Sequence, residues 1–122
     1  MRLWAVSDIH TDAEENASWV CRLSQTKFKD DALIVAGDVC EDLKVLKQTL
    51  HALAQRFAVV FFTPGNHDLW VKRDDGELLD AGLQDSMKKL QAILEMCDAL
   101  GVETRARRLT DGEHAIWEPD IQ

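Results

Sequence analysis

Three short apolar runs constrain the possible folds of this chain most, because each run is followed by side chains that can bind a metal ion. The runs and their polar successors are 3–7 with Asp8 and His10, 32–36 with Asp38, and 58–63 with Asn66, His67 and Asp68. Uninterrupted apolar runs of this length predict buried strands of a parallel sheet. The carboxyl ends of such strands meet at one edge, where open α/β sheets build their ligand sites. We therefore expect the polar residues to converge at one rim.

Amphipathic segments separate and follow the three runs. Apolar residues repeat at intervals of three and four in residues 14–25, 42–57 and 83–100, which predicts helices. Asp42 is placed to cap the second helix, and Gly101 to end the third. The order is therefore βαβαβ plus one further helix, an α/β fold with a mostly parallel sheet.

The remaining segments carry weaker signals. Residues 69–82 predict a long loop, in which Trp70 either lines a substrate pocket or covers the edge of the core. Residues 102–104 resemble the start of another strand. Residues 105–122 show no periodicity and few apolar residues, so we expect a disordered tail. The length of 122 residues predicts one domain, which we place over residues 1–104.

Composition excludes some classes of protein. With 14 basic and 22 acidic residues the net charge is −8, which argues against non-specific nucleic-acid binding. A phosphorylated substrate is compatible with this charge, because bound cations reverse the local field. No apolar run is long enough to span a bilayer and no secretory leader is evident, so we expect a cytoplasmic protein. The three cysteines lack disulfide spacing and predict free thiols.

The polar residues at the strand ends suit divalent cations such as Mn, Fe or Zn, which accept carboxylate, imidazole and amide ligands. Asp8 and His10 are one residue apart and can reach one ion, while Asp38 has two oxygens with which to bridge two ions. Asn66 offers a neutral oxygen to the second ion. Two ions about 3.5–4 Å apart stabilise an in-line displacement and generate hydroxide at neutral pH. His67 is then free to protonate the leaving oxygen.

Each of these residues also has an ordinary structural explanation. Asp8 and Asp38 can cap the helices that follow them, and Asn66 can be a turn residue. His10 and His67 can be hydrogen-bonded loop histidines. The metal hypothesis is favoured because the residues fall at three equivalent positions of the predicted sheet.

The motifs resemble a known family. Asp8-Ile9-His10, Gly37-Asp38 and Gly65-Asn66-His67-Asp68, in this order and at these separations, are similar to the first three signature blocks of the calcineurin-like metallophosphoesterase superfamily. The resemblance covers about residues 2–100. It implies the N-terminal half of a layered sandwich and the hydrolysis of phosphoesters by a hydroxide that two metal ions activate.

The resemblance also implies individual roles. Asp8 and His10 would bind the first metal, Asp38 would bridge both metals, and Asn66 would bind the second. His67 would contact the phosphoryl group, assisted by Asp68 or a neighbouring acid.

The sequence departs from the family pattern after residue 100. Family members continue with a later histidine and a Gly-His-x-His block on a second sheet, and neither is present; His114 lacks the flanking strand pattern. We therefore expect an incomplete second metal sphere and an apolar sheet face that a protein partner could cover.

Three hypotheses follow from these observations. The first is a metal-dependent phosphoesterase, a hydrolase whose preference for monoesters or diesters is open. The second is a truncated, catalytically impaired remnant that binds a metal or a partner. The third is an unrelated α/β binding module whose polar strand ends are only caps and turns.

Overall fold

A parallel three-stranded sheet forms the centre of the fold. The structure is a computed structural model that describes residues 1–70, 86–111 and 114–117. Strands β1 (Leu3–Val6), β2 (Ala32–Ala36) and β3 (Val59–Thr63) lie side by side in that order, all parallel. The predicted mostly parallel α/β fold is confirmed. Because the strands run in the same direction, their carboxyl ends emerge at one edge.

Three helices in the described part of the chain pack with the sheet. They are α1 (Glu14–Arg22), α2 (Leu43–Ala54) and α3 (Ser86–Leu100). Helix α1 is shorter than predicted, because the chain turns at Ser24, whose hydroxyl accepts the backbone N–H groups of the residues two and three positions later. Helix α2 begins at its predicted cap, since Asp42 Oδ1 accepts the N–H groups of Lys44 and Val45.

The core lies between the helices and one face of the sheet. Its buried members come from all three helices and from β2 and β3: Val20, Leu33, Val35, Leu46, Leu50, Leu53, Val60, Phe62, Ile93 and Cys97. Burial raises the pKa of the Cys97 thiol to about 11. All three cysteines are free thiols, as predicted, with Cys21 exposed and Cys40 and Cys97 buried.

The opposite face of the sheet is less well covered. Leu3, which is 47% exposed, shares this face with Ile34 and Phe61. These residues line an apolar cavity of about 340 Å³ together with residues of the segment 103–109. The C-terminal segment therefore covers part of the face that the sequence predicts to be open.

Strand β1 is tied to the start of β2 by Asp31. The Asp31 carboxylate accepts hydrogen bonds from the backbone and the guanidinium of Arg2 and from the indole N–H of Trp4. The indole hydrogen bond, together with the contacts from Arg2, lowers the pKa of Asp31 although burial opposes the shift. These contacts fix the strand that leads into Asp8.

Helix α3 presents a different face to the core from the one predicted. Met87 and Leu94, two members of the predicted apolar stripe, are 73% and 39% exposed. The buried residues are Lys89 and Ile93, which lie outside the predicted stripe, and Cys97, which belongs to it. The predicted stripe consists of Leu83, Met87, Leu90, Leu94 and Cys97. The buried face is therefore rotated from the predicted stripe and shares Cys97 with it, because packing decides which face of a weakly amphipathic helix is buried. Leu83 lies outside the described residues.

The helix ends as predicted and leads into a further strand pairing. Gly101 has a φ of +75°, the left-handed conformation typical of a helix end. Glu103 then forms an isolated parallel bridge with Phe61, in which its N–H donates to Val60 O at 2.8 Å and its carbonyl accepts from Phe62 at 2.8 Å. The strand pairing expected at residues 102–104 is therefore present as a single bridge beside β3.

Part of the segment 105–122, for which the sequence predicts a disordered tail, forms two short strands. Strands β4 (Leu109–Asp111) and β5 (His114–Trp117) pair antiparallel. The Leu109 side chain is 4% exposed and lines the apolar cavity, so burial against the sheet favours an ordered segment. The domain boundary at residue 104 stays a prediction.

Most of the predicted loop at 69–82 falls outside the described residues. Within the part of the chain that the structure covers, no helix combines the length and hydrophobicity of a membrane span.

Candidate metal centre

The loops after β1 and β2 are joined by backbone hydrogen bonds. The Asp8 N–H donates to Gly37 O at 3.1 Å, and the His10 N–H donates to Asp38 O at 3.3 Å. The parallel pairing of the two strands thus continues into the loops. As a result, the first two motifs of the sequence lie side by side at the predicted edge of the sheet.

Three predicted metal ligands have unusual backbone conformations. Asp8, His10 and Asp38 have φ values of +54°, +46° and +54°, and among the described residues no other non-glycine residue has a positive φ. Asp and His tolerate the left-handed region better than most residues, but the conformation still costs about 1–2 kcal/mol per residue. Such conformations cluster at functional sites, where the surrounding structure enforces them.

The side chains of these loops face one another. Asp8 Oδ1 lies 3.7 Å from His10 Nε2, and both side chains are open to solvent. The ring of His67 is 5.6 Å from that of His10, measured between centroids. The His67 N–H donates to Asp38 Oδ1 at 3.0 Å, which brings the third motif against the second.

Asn66 is exposed and directly precedes the short 3-10 helix His67–Leu69. Its side chain makes no capping hydrogen bond to that turn, although capping is a common structural use of asparagine. Its role as a metal ligand stays a prediction.

The donor set fits a divalent cation in its chemistry. Two carboxylates, an imidazole and an amide are ligands that Mn, Fe and Zn accept. Asp8 and His10 already form a close pair of donors. Over residues 1–70, 86–111 and 114–117, no three His, Cys, Asp or Glu side chains form a group that could hold an ion. The pair is thus in place, whereas the assignment of the larger ligand set is a proposal.

Asp68 connects the loops instead of facing the site. Its Oδ2 accepts the N–H groups of Asp38 at 2.7 Å and Gly65 at 2.9 Å, and its Oδ1 accepts those of Val39 at 2.8 Å and Cys40 at 2.9 Å. The side chain is 0% exposed. These contacts do not support the prediction that Asp68 takes part in catalysis, because both oxygens are engaged and buried.

Close approach of the same loops requires two glycines. A Cβ atom at Gly65 would lie 2.3 Å from Asp38 Oδ1, and one at Gly37 would lie 2.9 Å from the Gly65 Cα. Gly37 also has a φ of +77°. Any larger residue at either position would therefore separate the second and third motifs.

A cavity of about 320 Å³ adjoins the centre, lined by His10, Asp12, Ala13, Cys40, Glu41, His67 and Trp70. The indole of Trp70 stacks on the imidazole of His67 with a centroid distance of 4.0 Å and an interplanar angle of 22°. Of the two alternatives for Trp70, the structure supports the pocket-lining one.

The sequence pattern does not predict one contact beside this cavity. The Nζ of Lys89, in α3, donates hydrogen bonds to the carbonyl oxygens of Glu41 and Trp70. Lysines on helices are mostly exposed, so no sequence signal distinguishes this one.

Comparison with known proteins supports the resemblance. The sequence model of the calcineurin-like phosphoesterase family matches residues 1–111. The acyl-carrier-protein phosphodiesterase PptH of Mycobacterium tuberculosis is 39% identical over 103 residues, which cover 84% of this chain and 30% of that protein. The crystal structure of phosphopantetheinyl hydrolase (PptH) from Mycobacterium tuberculosis matches with a TM-score of 0.74 and 34% identity, covering 89% of this chain and 38% of that chain.

The range of the family model, residues 1–111, includes all three motifs. This chain spans less than half the length of PptH in both comparisons. Over that span its sheet and helices match the N-terminal half of the calcineurin-like fold. The chain therefore belongs to the calcineurin-like phosphoesterase family.

Proposed function

We propose that this chain is the metal-binding part of a phosphoester hydrolase. Asp8 and His10 would hold one divalent ion, Asp38 would contact both ions, and Asn66 would hold the second. The observation that carries the proposal is the coincidence of three predicted ligands with the left-handed residues of the described chain. Ions of this type, when bound, activate water and neutralise the charge of a phosphoryl group.

The protein's own residues fix the geometry of the centre. One oxygen of Asp38 accepts the His67 N–H, which limits rotation of the carboxylate. The left-handed backbone at Asp8 and His10 turns both side chains out of the strand direction and towards each other. Asp68 acts as a positioning residue, because its four hydrogen bonds hold the second and third loops together.

His67 is the residue that we assign to the phosphoryl group. Its imidazole is close to the ring of His10 and stacks on the indole of Trp70, at the wall of the adjoining cavity. From this position it would donate a hydrogen bond to a phosphoryl oxygen and protonate the leaving oxygen.

We propose a phosphodiester as the substrate. The support is the 39% identity over 103 residues to a protein named as a phosphodiesterase. The motifs themselves, which concern metal and phosphoryl binding, are equally compatible with a monoester.

Hydrolysis of bis-p-nitrophenyl phosphate in the presence of Mn²⁺, compared with p-nitrophenyl phosphate, tests the proposal. Changes in the residues around metal ligands cost up to about 100-fold in activity, so Asp38→Asn, which alters a ligand, should cost at least about 100-fold. Asp42→Asn, a helix cap in the same loop, is the matched control and should retain activity. A folded protein that hydrolyses neither ester with Mn, Fe or Zn would refute the proposal.

A second candidate is a catalytically impaired module that binds a metal or a partner. It is favoured by the apolar cavity of about 340 Å³ on the less covered sheet face. Calorimetry that shows metal uptake without turnover would support it. The third hypothesis, an unrelated α/β binding module, is wrong because the chain belongs to the phosphoesterase family.

A further inference from the structure

Lys89 is a buried cation next to the candidate site. It lies near the start of α3 (Ser86–Leu100) and is 0% exposed. Lysine is almost never fully buried without partners, because removing its ammonium from water is costly. An apolar residue would fill the same helix position at no such cost. The contacts of the ammonium group must therefore account for its burial.

The two described hydrogen bonds of Lys89 reach two residues that line one cavity. Its Nζ donates to the carbonyl oxygens of Glu41 and Trp70. Glu41 follows Asp38 by three residues, in the loop after β2. Trp70 follows the turn that carries His67, in the loop after β3. Both residues line the cavity of about 320 Å³ beside the metal centre.

Trp70 in turn contacts His67 in two ways. The centroids of the stacked rings are 4.0 Å apart, and the backbone N–H of Trp70 donates to the backbone oxygen of His67 at 3.2 Å. Because Lys89 holds the backbone carbonyl of Trp70, a shift of that backbone would carry the indole with it. The imidazole of His67 would then lose the surface against which it is stacked.

We propose that Lys89 is a positioning residue that fixes the orientation of the His67 imidazole by holding Trp70 and Glu41 together. An ammonium group has three donors and can bind two carbonyls at once, whereas a methionine side chain of similar length has no donor. The effect on turnover rests on the proposed function; the effect on the orientation of His67 does not.

The test compares Lys89→Met, which keeps the length of the side chain but removes its donors, with Lys47→Met on the exposed side of α2. Proton NMR reports the stack, because the Trp70 ring current shifts the His67 ring protons upfield. His67→Gln assigns these signals. We expect a folded Lys89→Met to lose the upfield shift and Lys47→Met to keep it. An unchanged shift in folded Lys89→Met would overturn the proposal, because a purely structural lysine would leave the stack intact.

Two further measurements apply if Lys89→Met does not fold. Lys89→Gln keeps an uncharged donor, and we expect a smaller upfield shift; the wild-type shift would contradict the proposal. In the wild-type protein, the Lys89 ammonium protons should exchange slowly and show cross-relaxation to protons of Glu41 and Trp70. Rapid exchange would overturn the proposal whether or not the variants fold.

Kinetics then connect the orientation to the reaction. Misplacement of a catalytic group by about 1 Å can cost about 10²-fold, so Lys89→Met should lower kcat by about that factor with little change in KM. Lys89→Arg, which restores a cation with several donors, should recover part of the loss. If the wild type proves inactive but Lys89→Met still loses the NMR shift, only the proposed function fails.

Discussion

Replacing Asp68 by asparagine tests the way in which the loops of the candidate site are held together. The two carboxylate oxygens each accept two backbone N–H groups: Oδ1 those of Val39 and Cys40, and Oδ2 those of Asp38 and Gly65. An asparagine has only one acceptor oxygen. Whichever way its amide is turned, its NH₂ group faces two backbone donors, and two hydrogen bonds are lost.

The expected cost follows from these contacts. A hydrogen bond to a charged group contributes about 1.5–3 kcal/mol, so the loss of two predicts about 3–6 kcal/mol of unfolding free energy. The site is 0% exposed, so water cannot replace the lost acceptor without a rearrangement of the loops. Since domains are stable by about 5–15 kcal/mol, Asp68→Asn should lose a large part of the free energy of unfolding.

Urea unfolding followed by tryptophan fluorescence measures the effect, because the chain has four tryptophans. Asp42→Asn is the matched control. Asn and Asp cap helices about equally well, so we expect a change of less than about 0.5 kcal/mol in this variant. A loss of less than about 1 kcal/mol in Asp68→Asn would refute the buried four-donor arrangement.

Two other predictions concern pH and backbone strain. The folded pKa of Cys97, about 11 against a usual 9.0, means that the folded state holds the thiol proton more tightly than the unfolded state does. The protonated Cys97 thiol therefore contributes about 2–3 kcal/mol to the free energy of unfolding. This contribution is complete below pH 9 and is lost as the pH rises to 11. Urea titrations give the difference in unfolding free energy between wild type and Cys97→Ala. This difference should change by that amount, against the wild type, between pH 9 and pH 11. A difference that is independent of pH would contradict the prediction. Asp8→Gly should be about 1 kcal/mol more stable than Asp8→Ala, because glycine tolerates a φ of +54°, and equal midpoints would count against the left-handed conformation.

Local patterns in the sequence predicted the elements that depend on local chemistry. The three strands, the Asp42 cap and the Gly101 helix end were confirmed because apolar runs, capping oxygens and left-handed glycines act over a few residues. The juxtaposition of the Asp8 and Asp38 loops also followed, since parallel strands must end at one edge.

Features that depend on tertiary packing were not predictable. The burial of Lys89 depends on two carbonyl oxygens from distant loops, and no residue near it in the sequence indicates them. The resemblance implies that Asp68 or a neighbouring acid assists His67, whereas the four backbone N–H groups that Asp68 accepts converge on it only after folding. The pairing of β4 and β5 involves three- and four-residue strands, too short for a periodic signal.

The central claim is that residues from the strand ends bind divalent cations together. Calorimetric titration of Mn²⁺ into wild type and into the double variant Asp8→Ala with Asn66→Ala tests this claim without requiring turnover. Asp30→Ala, an exposed aspartate in the link before β2, is the control. We expect the double variant to lose at least about 100-fold in affinity while the control binds as the wild type does. Equal Mn²⁺ affinity in all three proteins would contradict the claim.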